Sequence, residues 1–170
     1  APTAARSQRR VLAEQAWLDW GRAAGKPVQI FRLAGIYGPG RSALERVQAP
    51  GAQSILKPGH AMGRIHVDDI VQIVCAGIAH PNAGPIFNCV DDEPAQTVDV
   101  LAYAAKLLGI PAPPAVPFEE ADLSPMARSF YADNRRVCNA RIKRELGVRL
   151  LYPTYREGLT TIHRRTASQP

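Results

Sequence analysis

No apolar run in this sequence approaches the roughly 20 residues that a membrane-spanning helix needs. The longest, Ile70 to Ala79, is short and interrupted by Gln72. Cysteine is scarce: Cys75, Cys89 and Cys138 are the only three, and no C-x-x-C pair occurs. That excludes a disulfide framework and a zinc knuckle, and it fits a reduced, cytoplasmic setting. The histidines His60, His66, His80 and His163 share no ligand spacing, so no metal is expected. The absence of a G-x-S-x-G word removes support for a serine hydrolase. No secretory signal, internal repeat or low-complexity tract is visible. The first residue is Ala1, which reads as a processed or cut chain. Lysine is rare as well, with Lys26, Lys57, Lys106 and Lys143 the only ones among 21 basic residues.

What is present describes an ordinary folded chain. Hydrophobic residues make up 46% and charged residues 21% of 170 positions, which is globular composition and enough for one domain or one domain and a fragment. The net charge of +6 is carried mostly by arginine. Its planar fork suits carboxylate or phosphate. The arginines are scattered, with short pairs only at Arg9-Arg10, Arg135-Arg136 and Arg164-Arg165. A nucleic-acid partner is therefore disfavoured against a solvated basic surface.

The periodicities give an alternating order. Thr3 caps a helix to about Ala24, closed by Gly25 and Pro27. Val28 to Leu33 reads as a buried strand and Pro85 to Val90 as a second. Gly35 to Gly40 reads as a glycine-rich loop, and Ser42 to Val47 as one helical turn. Asp68 or Asp69 opens an apolar helix to about Ala79, and Thr97 caps another that Gly109 stops. The prolines Pro111, Pro113, Pro114 and Pro117 read as an extended surface linker. Asn139 to Leu146 is a helix with Gly147 at its C-cap, and Thr154 to about Arg164 is the last. Strand and helix in alternation argue α/β, and two strands alone cannot complete a doubly wound sheet.

Gly35-Ile-Tyr-Gly-Pro-Gly40 is a poor phosphate cradle, because Pro39 lacks a donor and no clean N-cap follows. It reads better as a turn lining a cleft at the carboxyl end of a strand, where open α/β sheets bind ligands. In Arg64-Ile-His-Val-Asp-Asp69 the acids read as first-turn residues facing the helix dipole, and His66 as a hydrogen-bonded structural histidine. Asn88, Asp91, Asp92 and Glu93 read as a polar turn after the second strand.

Four words in this order, Arg32-Leu-Ala-Gly-Ile-Tyr-Gly-Pro39, Arg64-Ile-His-Val-Asp-Asp69, Gly84-Pro-Ile-Phe-Asn88 and Lys143-Arg-Glu-Leu-Gly147, resemble the extended short-chain dehydrogenases/reductases, the NAD-dependent epimerase/dehydratase superfamily. The resemblance covers nearly the whole chain but only the C-terminal half of such a protein, in an atypical branch. It implies the C-terminal part of a Rossmann-type doubly wound parallel sheet plus a small substrate-binding lobe. Residues 1–38 and 65–90 would belong to the dinucleotide-binding domain, 39–64 and 91–158 to the lobe, and 159–170 to a C-terminal tail.

That family uses a Tyr-x-x-x-Lys pair on one helix face, followed by a glutamate. The lysine holds the cofactor ribose and the tyrosine moves the proton. Glu14 and Gln15 resemble the end of that segment, which puts Arg10 at the lysine position and Arg6 at the tyrosine position. A guanidinium does not titrate near neutral pH, so the catalytic residues are unassigned. Gly35 and Met62 also replace residues that many members use toward a sugar nucleotide. The resemblance implies NAD or NADP as cofactor, met by Arg10, Leu33, Ala34, Gly35 and Ile36. Tyr37, Arg64 and Arg136 would face a sugar-nucleotide or related carbonyl or hydroxyl substrate. The expected partners are a small-molecule substrate and the N-terminal half of the same protein, or a second copy, and no membrane. The rival reading is a non-catalytic NAD(P)-binding sensor or scaffold; a basic nucleic-acid module ranks below it.

Overall fold

The computed structural model describes residues 5–131, 134 and 136–168, so Thr3 and Arg135 lie outside the described residues. Its elements are the helix α1 Ala5–Ala24, then the strands β1 Ile30–Leu33 and β2 Gly35–Tyr37, with the helix α2 Ala43–Gln48 and the strands β3 Ser54–Leu56 and β4 Arg64–His66 after them. The chain continues through α3 Val67–Ala79, β5 Ile86–Cys89, α4 Thr97–Leu108, β6 Ala115–Pro117 and α5 Pro125–Ser129. It closes with α6 Ala140–Leu146 and α7 Tyr155–Ala167. The six strands form three parallel pairs, β1 with β5, β2 with β4 and β3 with β6. The fold is α/β.

Three expectations are corrected. Residues 35–37 are a strand rather than a loop, because Ile36 and Tyr37 take up parallel register with Ile65 and His66. Ser42 then gives α2 a full capping box, accepting from the Leu44 amide while Glu45 accepts from the Ser42 amide, where no clean cap was expected. The proline-rich stretch is likewise more than a linker. Ala115 to Pro117 pair with Ser54 to Leu56, and the Pro114 carbonyl accepts from the Ser54 amide. Proline is tolerated there because β6 has a strand on one side only.

The core has two main parts. Ile65, Ile73, Phe87 and Cys89 are sealed against Ile142 and Leu146 of α6, each large side chain contributing about 1.5–3 kcal/mol by its burial. The second part joins α2, α4 and α7 through Leu44, Val47, Leu101, Ala104, Tyr155 and Leu159. Leu159 and Ile162, in the segment expected as a tail, are both buried here. Helix α1 is tethered through Glu14, whose carboxylate accepts from Nε and Nη2 of Arg32 on β1, the closest approach being 2.6 Å. No helix among the described residues is long and apolar enough to cross a membrane.

Candidate functional site

Strand alternation sends the side chains of β4 to opposite faces. Ile65 enters the core shared with α3 and α6. His66 packs its ring against Tyr37, with centroids 5.1 Å apart, and against Tyr152 at 4.1 Å. Its Nδ1 accepts from the Asp68 amide at 3.1 Å, so His66 itself caps α3. That bond leaves the ring proton on Nε2, which is buried without a hydrogen-bond partner among the described residues. Burial holds His66 below its ordinary pKa, so the ring is neutral.

Asp69 does a different job from capping. Its Oδ1 accepts from the Leu151 amide at 2.7 Å and its Oδ2 from the Tyr152 amide at 3.1 Å. A fully buried carboxylate thereby fixes the turn that leads into α7. Helix α7 starts at the Thr154–Glu157 capping box, which the sequence announces.

These elements enclose a cleft of about 480 Å³ between the end of β2, α2, α4 and α7. Ile36, Tyr37 and Arg64, three of the residues proposed from sequence, line it together, joined by Arg46, Tyr155 and Leu159. Tyr37 is buried, and its hydroxyl has no hydrogen-bond partner among the described residues. Burial first, then the nearby carboxylates of Asp91, Asp69 and Glu157, push its pKa upward, so it stays a phenol. Arg64 donates from Nη1 to the carbonyls of Met62 at 2.9 Å and Ala95 at 3.1 Å. Behind it, Asp91 and Arg64 exchange backbone and side-chain bonds: the Asp91 amide donates to the Arg64 carbonyl at 2.7 Å, and the Arg64 amide to Asp91 Oδ1 at 3.4 Å. Burial lifts the Asp91 carboxyl to about 7.

Arg136 lies elsewhere, on a smaller cleft of about 210 Å³ with Glu93, Asp99 and Arg156. Tyr155 borders both clefts. Leu33 ends β1 with its side chain exposed, Ala34 and Gly35 follow it, and Arg10 is exposed on α1; none of the four lines either cleft. Sequence reasoning missed Arg46 and Tyr155. Their helices were legible, but nothing local marks which face meets Tyr37.

No protein-family model matches the sequence. A conserved protein of unknown function from Silicibacter pomeroyi DSS superposes with a TM-score of 0.88 at 51% identity, over 99% of this chain and 58% of that one. Protein YeeZ of Escherichia coli (strain K12) is 30% identical over 149 residues, 85% of this chain and 47% of YeeZ. A 3-diazoavenalumate denitrifying reductase from Streptomyces sp is 28% identical over 141 residues, 76% of this chain and 45% of the reductase. The chain thus spans about half the length of the curated relatives it matches. Bacillus anthracis dTDP-glucose 4,6-dehydratase, solved in complex with NAD, shares the fold at a TM-score of 0.76 and 17% identity, over 99% of this chain and 54% of that one. The parallel α/β arrangement therefore matches Rossmann-like NAD-dependent epimerases and dehydratases, and some of these neighbours carry NAD or NADPH.

Proposed function

We propose that this chain is part of an NAD(P)-dependent oxidoreductase or epimerase that acts on a small molecule bound in the cleft between α2, α4 and α7. The observation that carries the reading is the meeting in one cleft of Ile36 and Tyr37, from β2, with Arg64, which opens the parallel strand β4. In open α/β sheets, ligands bind beyond the carboxyl ends of the strands, where Tyr37 closes β2. The named reductase relative and the nucleotide-bound neighbours point the same way.

The residues present fit one flank of a nicotinamide nucleotide. Leu33, 45% exposed at the end of β1, and Ile36, 39% exposed within β2, are two apolar side chains against which a flat ring can rest. The exposed Arg10 supplies donors for a hydroxyl or phosphate. When bound, such a cofactor accepts or delivers hydride. The protein's share is to orient the substrate through Arg64, to wall it with Tyr37 and Tyr155, and to keep water from the apolar side. Tyr37, held as a phenol, can donate a hydrogen bond but is a poor base.

Titrating the full-length protein with NADH and NADPH, followed by nicotinamide fluorescence, tests this. Saturable binding of one of them is the expected result, and binding of neither removes the cofactor from the reading. The exposed arginines Arg6 and Arg10, standing where the resemblance implies a Tyr/Lys pair, favour a second reading as a sensor that binds cofactor without turnover. Turnover of NADPH against a panel of carbonyl compounds and sugar nucleotides separates the two.

A further inference from the structure

We infer that the cleft between α2, α4 and α7 takes a substrate with a single anionic group, a carboxylate or a phosphate, gripped by Arg64 and Arg46, and an apolar body laid against Ile36 and Leu159. The inference rests on the proposed reading of that cleft as the substrate site and adds the chemical class of its occupant.

Arg64 is the first observation. It is only partly exposed, yet no carboxylate among the described residues comes within ion-pair distance of it. One end of its guanidinium is pinned by the Met62 and Ala95 carbonyls. Its other nitrogens make no bond among the described residues and are not sealed from the cleft. A cation drawn out of water without a counterion is costly, and an incoming anion removes that cost. The carboxylate behind it is a weak counterion, because burial keeps Asp91 partly protonated at neutral pH.

The second observation is the surrounding charge. Arg46 on α2 lines the same cleft, has no ion-pair partner among the described residues, and disfavours the charge on Arg64 by like-charge repulsion. Glu45 is the acid beside them, and its carboxylate is already taken by the amides of Gly40 and Ser42 and by the Ser42 hydroxyl. The lining therefore carries cationic groups. Leu101 and Leu159, almost fully buried, line the same cleft and offer only carbon. A volume of about 480 Å³ holds a small organic acid or ester with room for a cofactor ring beside Ile36.

Calorimetric titration of the full-length protein with cinnamate, cinnamamide and phenyl phosphate tests the inference. Cinnamate or phenyl phosphate should bind at least about tenfold more tightly than cinnamamide, since a hydrogen bond to a charged group is worth roughly that factor. Which of the two anions wins identifies the headgroup. Arg64→Gln should abolish most of the preference. Because Arg64 also bonds two backbone carbonyls, the exposed Arg46→Gln is the second variant and should weaken both anions by several fold with an unchanged circular dichroism spectrum. Equal affinity for acid and amide, no binding of either anion, or wild-type affinity in both variants would overturn it. NADPH titrated into the same samples keeps the two proposals apart. Cofactor binding without anion binding sinks this inference alone, and anion binding without cofactor binding sinks the oxidoreductase reading alone.

Discussion

Asp91 is a carboxylic acid with 2% of its surface exposed and one oxygen, Oδ2, without a hydrogen-bond partner among the described residues. Burial raises its pKa from 3.8 to about 7, against the Arg64 amide bond and the Arg64 charge, which pull it down. The unfolded chain gives up this proton near 3.8, whereas the folded chain keeps it to about 7. Between those values folding takes up a proton, so stability is greatest at the acid end and declines as pH rises through 7. Urea unfolding at about pH 5 and about pH 8 should show a loss on the order of a few kcal/mol from this group. Asp91→Asn keeps an acceptor for the Arg64 amide and carries no charge, so its stability should be flatter with pH and should exceed the wild type at the alkaline end. Parallel pH profiles for the two proteins would show that Asp91 is not the titrating group. A ligand anion on Arg64 competes with an ionised Asp91 for the same cation, so anion binding should strengthen as Asp91 takes up its proton.

Helix α7 lies so close to β2 that only glycine fits at position 158. A Cβ there would collide with Tyr37 Oη and stand 2.7 Å from its Cε2. Gly158→Ala must displace the ring of a buried tyrosine, an overpacking change costing about 1–3 kcal/mol. It also shifts a wall of the cleft. Chemical denaturation together with cinnamate titration should record both losses, and a variant as stable as the wild type would mean that Tyr37 rotates freely.

The same elements show what local sequence can announce. Gly109 and Gly147 were expected to stop α4 and α6, and both adopt the left-handed conformation at the C-cap. Cap signals sit within four residues of one another, so a reader of the sequence sees them whole. Strand β2 was hidden because its glycine and the following Gly-Pro-Gly look like a turn; its partner is Arg64–His66, far along the chain. Strand β6 was hidden by proline for the same nonlocal reason. In the site, Tyr37 and Arg64 were legible from their words, whereas Tyr155 and Arg46 join them only through the packing of α2 and α7.

Taken as a whole, the molecule leaves one side open. Strand β1 is hydrogen-bonded to β5 on one edge and to no strand on the other among the described residues. Next to it, α1 exposes Leu12, Trp17 and Trp20, the two indoles packed edge to face with centroids 5.9 Å apart. An unpaired strand edge invites pairing with another chain, and grouped exposed aromatic residues mark a surface that is normally covered. The helix is held to the sheet chiefly by the Arg32–Glu14 pair and by the close approach of Gly21 to Val28, so its apolar side chains add little to the core. The 170-residue chain prepared by itself should therefore self-associate. Light scattering should give a mass above 18.5 kDa that grows with concentration, and tryptophan emission should shift to the blue as Trp17 and Trp20 become covered. Replacing both tryptophans with lysine should lower the apparent mass without unfolding the chain, because neither side chain is buried. A mass of one chain at every concentration, with emission that stays at the wavelength of a solvated indole, would show that this side needs no cover.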